Sequence, residues 1–211
     1  MKESPISKSK KRFTFVGNRL CIDFVNTRHS TDDAAGALHS WDDLRDFLEA
    51  TGASSRVETR RLRDISIKNP EQCATTFAFS MILRESLGMI LSAIDGEHRL
   101  KSEWIEAINT VLRANDGYEQ LSRRNGEWHL AFVPRVVGPM QALVGIALSA
   151  VELIEEGMDA PVRKCANPNC ILYFYDVSRT RRRRWCSMAV CGNRMKVASY
   201  ARRRKPRRST K

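Results

Sequence analysis

The chain has 211 residues and a formal charge of +12, and that charge sits at its two ends. Residues 161–211 hold 16 basic side chains against the lone acid Asp176, a net +15; residues 1–12 carry a net +4, and residues 13–160 are left at −7. A mildly acidic body with a strongly cationic C-terminal segment excludes a uniformly basic ribosomal-type protein, argues against a single enzyme domain, and points to a polyanionic partner for one end.

Residues 142–151 are the longest apolar stretch, well short of the roughly 20 a membrane span needs. The basic cluster 8–12 runs into 13–19 without the apolar core of a signal peptide. The expected location is cytoplasmic and nucleoid-associated, with no membrane partner. In that reducing compartment six cysteines read as metal ligands or core residues rather than disulfides.

Residues 1–12 are polar and basic and are expected to be a disordered arm. Residues 20–27 (Leu-Cys-Ile-Asp-Phe-Val-Asn-Thr) are apolar and ambiguous between strand and helix. Ser40 ahead of Asp43, and Ser55 ahead of Glu58, signal two helix starts. The first would bury Trp41, Leu44, Phe47 and Leu48 and stop at Gly52; the second would turn Val57, Leu62 and Ile65 inward. After Asn69-Pro70 comes the longest helix, about 71–95, with Gly96 as its stop, and Ser102 opens another. Asn125-Gly126 marks a hairpin between 118–123 and 127–133, with Trp128, Leu130 and Phe132 alternating on one face as a half-buried strand requires. Pro139 begins a last body helix that ends at Gly157, its inner face including Leu143, Ala147 and Leu148. The body is therefore mainly α with a small β-hairpin.

Cys165 and Cys170 are separated by four residues, as are Cys186 and Cys191, with fifteen between the pairs. Four thiolates brought together as two loops suit tetrahedral zinc, and a module of about 50 residues with little core needs the folding energy a metal supplies. An iron–sulfur cluster has more compact ligand runs or a Cys-Pro ending, and a redox dithiol a Cys-X-X-Cys pair, both absent. Four unrelated core cysteines is the plain alternative. Cys21 and Cys73 stand alone and read as core. With all four positions taken by protein, the zinc is structural. Residues 171–175 read as a strand paired with 182–185 across a 176–181 turn, and Gly192-Asn193 starts a helix that runs to Pro206. Knuckle, hairpin, knuckle and helix describe a C-terminal treble-clef-like zinc finger.

Trp185-Cys186-Ser187-Met188, then Cys191-Gly192-Asn193-Arg194 and Lys196, resembles the signature of the CGNR zinc-finger family. The string at 20–27 and the strand at 128–134 resemble the ABATE domain that precedes this finger in stress-induced transcription regulators. The resemblance implies a metal site on Cys165, Cys170, Cys186 and Cys191 and a DNA-binding transcriptional role; the four-arginine run at 181–184 departs from the family's smaller turn. The domain reading is a basic arm at 1–12, an ABATE-like helical domain at 13–157, a CGNR-type finger at 158–205 and a basic tail at 206–211.

A net +15 far exceeds what a zinc–tetrathiolate needs for charge balance. Double-stranded DNA is the expected partner. Arg194 and Lys196 would approach it at the helix start, Arg202, Arg203, Arg204 and Lys205 would lie on phosphates, and Arg179, Arg181, Arg182 and Arg183 would grip the backbone. Arg163, Lys164 and Arg184 would offset the thiolate charge. RNA is the alternative partner, if Tyr173, Phe174, Tyr175 and Trp185 are exposed for stacking rather than forming the small core. Asp23, Asn26, Thr27 and Arg28 are a candidate pocket for a small-molecule effector, against the reading that they satisfy one another and nearby backbone. The four histidines form no catalytic pattern, so no enzyme activity is expected. A homodimer is the candidate assembly, because dimers pair DNA half-sites.

Overall fold

Residues 20–26 fold as helix α1 (Leu20–Asn26), because Cys21, Ile22, Phe24 and Val25 all bury, and only a helix turns positions at that spacing to one side. A computed structural model describes residues 12–29, 36–135 and 138–204. The N-terminal arm up to residue 11, Lys205 and the 206–211 tail lie outside the described residues.

Among the described residues, six further helices follow the punctuation of the sequence. In α2 (Trp41–Thr51) the Ser40 hydroxyl accepts from the Asp43 N–H, and Gly52 ends the helix at φ +75°. A full capping box between Ser55 and Glu58 starts α3 (Arg56–Lys68). Its inward side chains are Leu62 and Ile65, whereas Val57, expected inward, is exposed. Pro70 opens the central helix α4 (Pro70–Asp95), which packs against α1, α2, α3 and α5 (Ser102–Leu112). By length and apolarity α4 meets the requirement for crossing a membrane, but Leu83, Leu87, Ile90, Leu91 and Ile94 are spent on the body's core. A 3-10 turn (Pro139–Leu143) runs into α6 (Val144–Glu155), and the C-terminal helix is α7 (Asn193–Arg204).

Strands β1 (Gly117–Arg124) and β2 (Glu127–Pro134) form an antiparallel ribbon about Asn125 and Gly126. Both turn residues have positive φ (52° and 89°), the type I′ geometry that Asn-Gly favours. The expected half-burial of this hairpin fails: Trp128, Leu130 and Phe132 share a face, and that face is exposed. A second correction concerns the finger. Its hairpin pairs β3 (Val162–Lys164) with β4 (Tyr173–Tyr175), so the partner of 173–175 lies before the first cysteine rather than at 182–185.

This hairpin is built into the body. Val162 and Tyr173 belong to the same core as α1, α4 and α6. Buried Asn26 donates its amide to the Tyr173 carbonyl (2.8 Å) and accepts from the Tyr173 N–H (2.9 Å), acting as one more strand edge for β4. The Tyr175 N–H donates to the Gly17 carbonyl (2.8 Å), and the Asn18 amide returns a bond to the Tyr175 carbonyl (2.9 Å). The described residues thus combine a mainly helical region carrying one hairpin with a small C-terminal hairpin that frames the four cysteines.

Asp23 fastens the loop before α1 by accepting from the N–H groups of Val16 (3.1 Å) and Gly17 (2.7 Å). Burial nevertheless pushes its carboxyl up to about 6, outweighing those bonds. A carboxyl raised on folding adds stability below its unfolded value near 4, and that contribution is lost as pH rises through 6. Asp23→Asn keeps an acceptor oxygen and removes the charge. The variant is expected to gain about 2 kcal/mol over the parent at pH 7.5 and almost nothing at pH 3, by urea denaturation at both values.

Candidate metal centre and nucleic-acid interface

Cys165 follows β3 directly and Cys170 stands shortly before β4, so the hairpin itself closes the first cysteine loop. The Cys165 N–H donates to the Leu172 carbonyl, the Cys170 N–H to the Asn167 carbonyl, and the Asn169 N–H to the Asn167 side chain. The second loop is a single π turn (Met188–Gly192), capped where the Ser187 hydroxyl accepts from the Val190 N–H, and it leads into α7. A Cβ at Gly192 would fall 2.2 Å from the Met188 sulfur, so a larger residue there would displace the exposed Met188 side chain.

All four thiols are buried, unbridged and within 4.8 Å of one another. The Cys170–Cys186 and Cys186–Cys191 sulfurs are 3.8 and 3.6 Å apart. A tetrahedron of Zn–S bonds near 2.3 Å has edges of about 3.8 Å, so the sulfur cage has the size of one zinc ion. An iron–sulfur cluster needs thiolates spread round an inorganic core, and this cage is too small for one. Burial and adjacent sulfurs push Cys170 up to about 11 and Cys186 further up. For Cys191 burial acts upward, but bonds from the Asn167 amide and the neighbouring thiols outweigh it and hold the group below its ordinary value. Asn167 donates to the Cys191 sulfur (3.4 Å) and the Cys186 N–H to the Cys165 sulfur (3.4 Å), the donor pattern that steadies a thiolate set.

The basic residues divide by orientation. Arg179, Arg181 and Arg182 are exposed on the 176–183 loop, Arg194 and Lys196 are exposed on the first turn of α7, and none is in an ion pair among the described residues. Arg183 is set apart from its neighbours. Its guanidinium lies over the Phe174 ring (4.2 Å) and donates to the carbonyls of Trp185 (3.0 Å), Cys186 and Val16 (3.3 Å). It is therefore a brace between finger and body. Arg202, Arg203 and Arg204 continue the backbone of α7; their side chains, and Lys205 altogether, lie outside the described residues.

Sequence reasoning counted Asp176 only as a charge, yet it shapes the arginine loop. Its buried carboxylate accepts from the N–H groups of Ser178 (2.9 Å) and Arg183 (2.8 Å), and its own N–H donates to the Pro161 carbonyl. Burial alone would raise the group, but the Ser178 and Arg183 bonds hold it below the usual carboxylate value. An Asp ahead of Ser is the local signal for such a loop. The finger's aromatics are largely enclosed: Phe174 and Tyr173 are buried, and Tyr175 and Trp185 half-buried.

The four polar residues of α1 and its end turn to four separate partners. Asp23 holds Val16 and Gly17, and Asn26 holds Tyr173. Thr27 donates to the Phe24 carbonyl and accepts from Arg84, and Arg28 pairs with Glu85 over Gly88. Asp23 borders an open groove shared with Phe15, Arg19 and residues 50–53.

A four-cysteine metal cage at the end of a helical body defines a structural zinc-finger protein. The CGNR zinc finger family matches residues 162–204, and the ABATE family, described as "Putative stress-induced transcription regulator", matches residues 18–157. The chain belongs to this ABATE family, and its four cysteines form the zinc site of a CGNR finger. No curated protein matches the chain.

Proposed function

We propose that the protein regulates transcription by binding duplex DNA through the finger, with the helical body serving assembly rather than catalysis. The observation that carries this reading is the fan of exposed cations, in no ion pair among the described residues, on two supports fixed to the metal cage: Arg179, Arg181 and Arg182 on the Asp176 loop, and Arg194 and Lys196 at the start of α7. Arginine forks at such sites hold phosphate oxygens or guanine edges in pairs.

The enclosure of Phe174 and Tyr173 favours DNA over RNA, because stacking on unpaired bases needs free ring faces. The separate partners of Asp23, Asn26, Thr27 and Arg28 favour assembly over effector sensing at that location.

Engagement of about six phosphates gives a slope near −5 for log affinity against log salt concentration on duplex DNA. The double variant Arg181→Gln/Arg182→Gln is expected to bind more weakly with a slope shallower by about 2. Fluorescence anisotropy with duplexes selected from random sequence measures both. An unchanged slope in the variant, or single-stranded RNA outcompeting duplex across several sequences at fixed salt, overturns the reading.

A further inference from the structure

We propose that the β1–β2 hairpin is a dimerisation arm, its apolar face seated on a second copy of this chain at the cavity under that copy's own hairpin. Directly paired residues of an antiparallel ribbon point to the same side. One side therefore carries Trp128 with Arg123, Leu130 with Leu121, Phe132 with Glu119, and Pro134 with Gly117. Its large apolar members are bare: Trp128 is 67% exposed, Leu130 and Leu121 63% each, and Phe132 48%. The other side is mostly polar, with Gln120, Ser122, His129, Arg124 and Glu127. The ribbon is amphipathic, and its apolar side faces solvent. A two-stranded hairpin is marginal on its own, and this one pairs chiefly with itself.

The receptor lies at the base of the same face. A cavity of about 180 Å³ is walled by Leu62, Phe132, Pro134, Ala142, Val144 and Leu148, with Glu58 at its edge. Phe132 and Pro134 belong both to the cavity wall and to the arm's apolar side, so knob and hole are continuous on one surface. A cavity of about 150 Å³ accepts a benzene ring, so this one has room for an aromatic or leucine side chain. Leu148, expected in the core, is exposed on the cavity's wall.

These features select a second copy as the occupant. A surface that presents both elements a fixed distance apart complements itself under two-fold rotation, the tip of each arm reaching the base of the other. Charge agrees: Arg123 and Arg124 against Glu127 leave the tip net positive, while Glu58 borders the hole in a body of net −7. Area agrees as well. Eight residues at about 3.3 Å and two strands about 4.8 Å apart give a face of roughly 250 Å². Two arms and two bases then total about 1,000 Å² before side-chain relief is added, the lower bound of a specific interface.

The test is sedimentation equilibrium of the zinc-loaded full chain without DNA, so its outcome is independent of whether the finger binds DNA. The parent is expected to be a dimer at tens of micromolar. Leu121→Glu/Leu130→Glu on the arm and Leu148→Glu on the cavity wall are each expected to give monomers, with the thermal melt and zinc content confirming that both variants fold. A monomeric parent overturns the proposal, as does a dimer that survives either variant.

Discussion

Removing zinc from the folded chain is expected to dismantle the cysteine loops and release α7, while the helical body and the β3–β4 hairpin anchored in it stay standing. Outside the metal cage, the finger's own cluster is Leu172 and Phe174, with Val16 and Trp185 packed alongside, too little apolar surface to hold the two cysteine loops and α7 in place, whereas β3 and β4 are also anchored in the body's core through Val162 and Tyr173. Structural zinc contributes roughly 10–16 kcal/mol to folding in isolated fingers at neutral pH, which burial of that size cannot replace. Each of the four sulfurs counts, because losing one removes a thiolate bond and leaves the cysteine loops closed by only three. Cys186→Ser is expected to lower bound zinc from one per chain to below a tenth, with loss of the Trp185 near-ultraviolet signal and of DNA binding. Cys73→Ala, which empties a core position far from the cage, keeps its zinc. Atomic emission on desalted protein makes the comparison, and retention of zinc by Cys186→Ser would remove the basis for the metal site. Acid should act in the same direction: zinc binding requires thiolates, so metal is released as falling pH returns protons to sulfur.

Asn26→Ala is the second large effect. The side chain satisfies both backbone groups of Tyr173 at a buried position, and alanine strands both. Each unsatisfied buried group costs about 1–3 kcal/mol, so the variant is expected to lose about 2–5 kcal/mol. For a chain of this length that lowers the melting temperature by roughly 5–15 °C. The position also joins α1 to β4, so the expected calorimetric signature is one transition in the parent and two in the variant. Asn26→Asp is worse, since a carboxylate accepts from the Tyr173 N–H but cannot donate to its carbonyl, and it buries a charge.

The sequence made the helices legible because their signals are local. Ser55 with Glu58, Ser40 with Asp43, and Gly52 each act within one turn, and the structure has them where the letters stand. The metal cage was legible for a related reason: four cysteines in two pairs have few ways to be useful together. Asn125-Gly126 gave the outer hairpin's register but not its burial. Alternation reports which residues share a face, and says nothing about whether another surface covers it. The finger's strand pairing was hidden because Val162–Lys164 is too short to show a pattern, and because Asp176 ties Arg183 into a loop instead of a ladder. Arg183 cannot be told from Arg182 by letter. What separates them is the Phe174 ring and three carbonyls, one of them 167 positions away in the chain. The partner of Asn26 was hidden for the same reason, lying 147 positions downstream.

The seam between Val16–Asn18 and the finger bears on how such proteins can be cut and recombined. Gly17 and Asn18 serve Tyr175, Val16 covers the cysteine cluster and receives Arg183, and Asn26 completes β4. An excised C-terminal fragment loses these partners even with every cysteine in place. Grafting this cationic reader onto a foreign host would therefore require transplanting the opening stretch of the chain with it, and lineages that shuffle domains would have to inherit the two pieces as a pair.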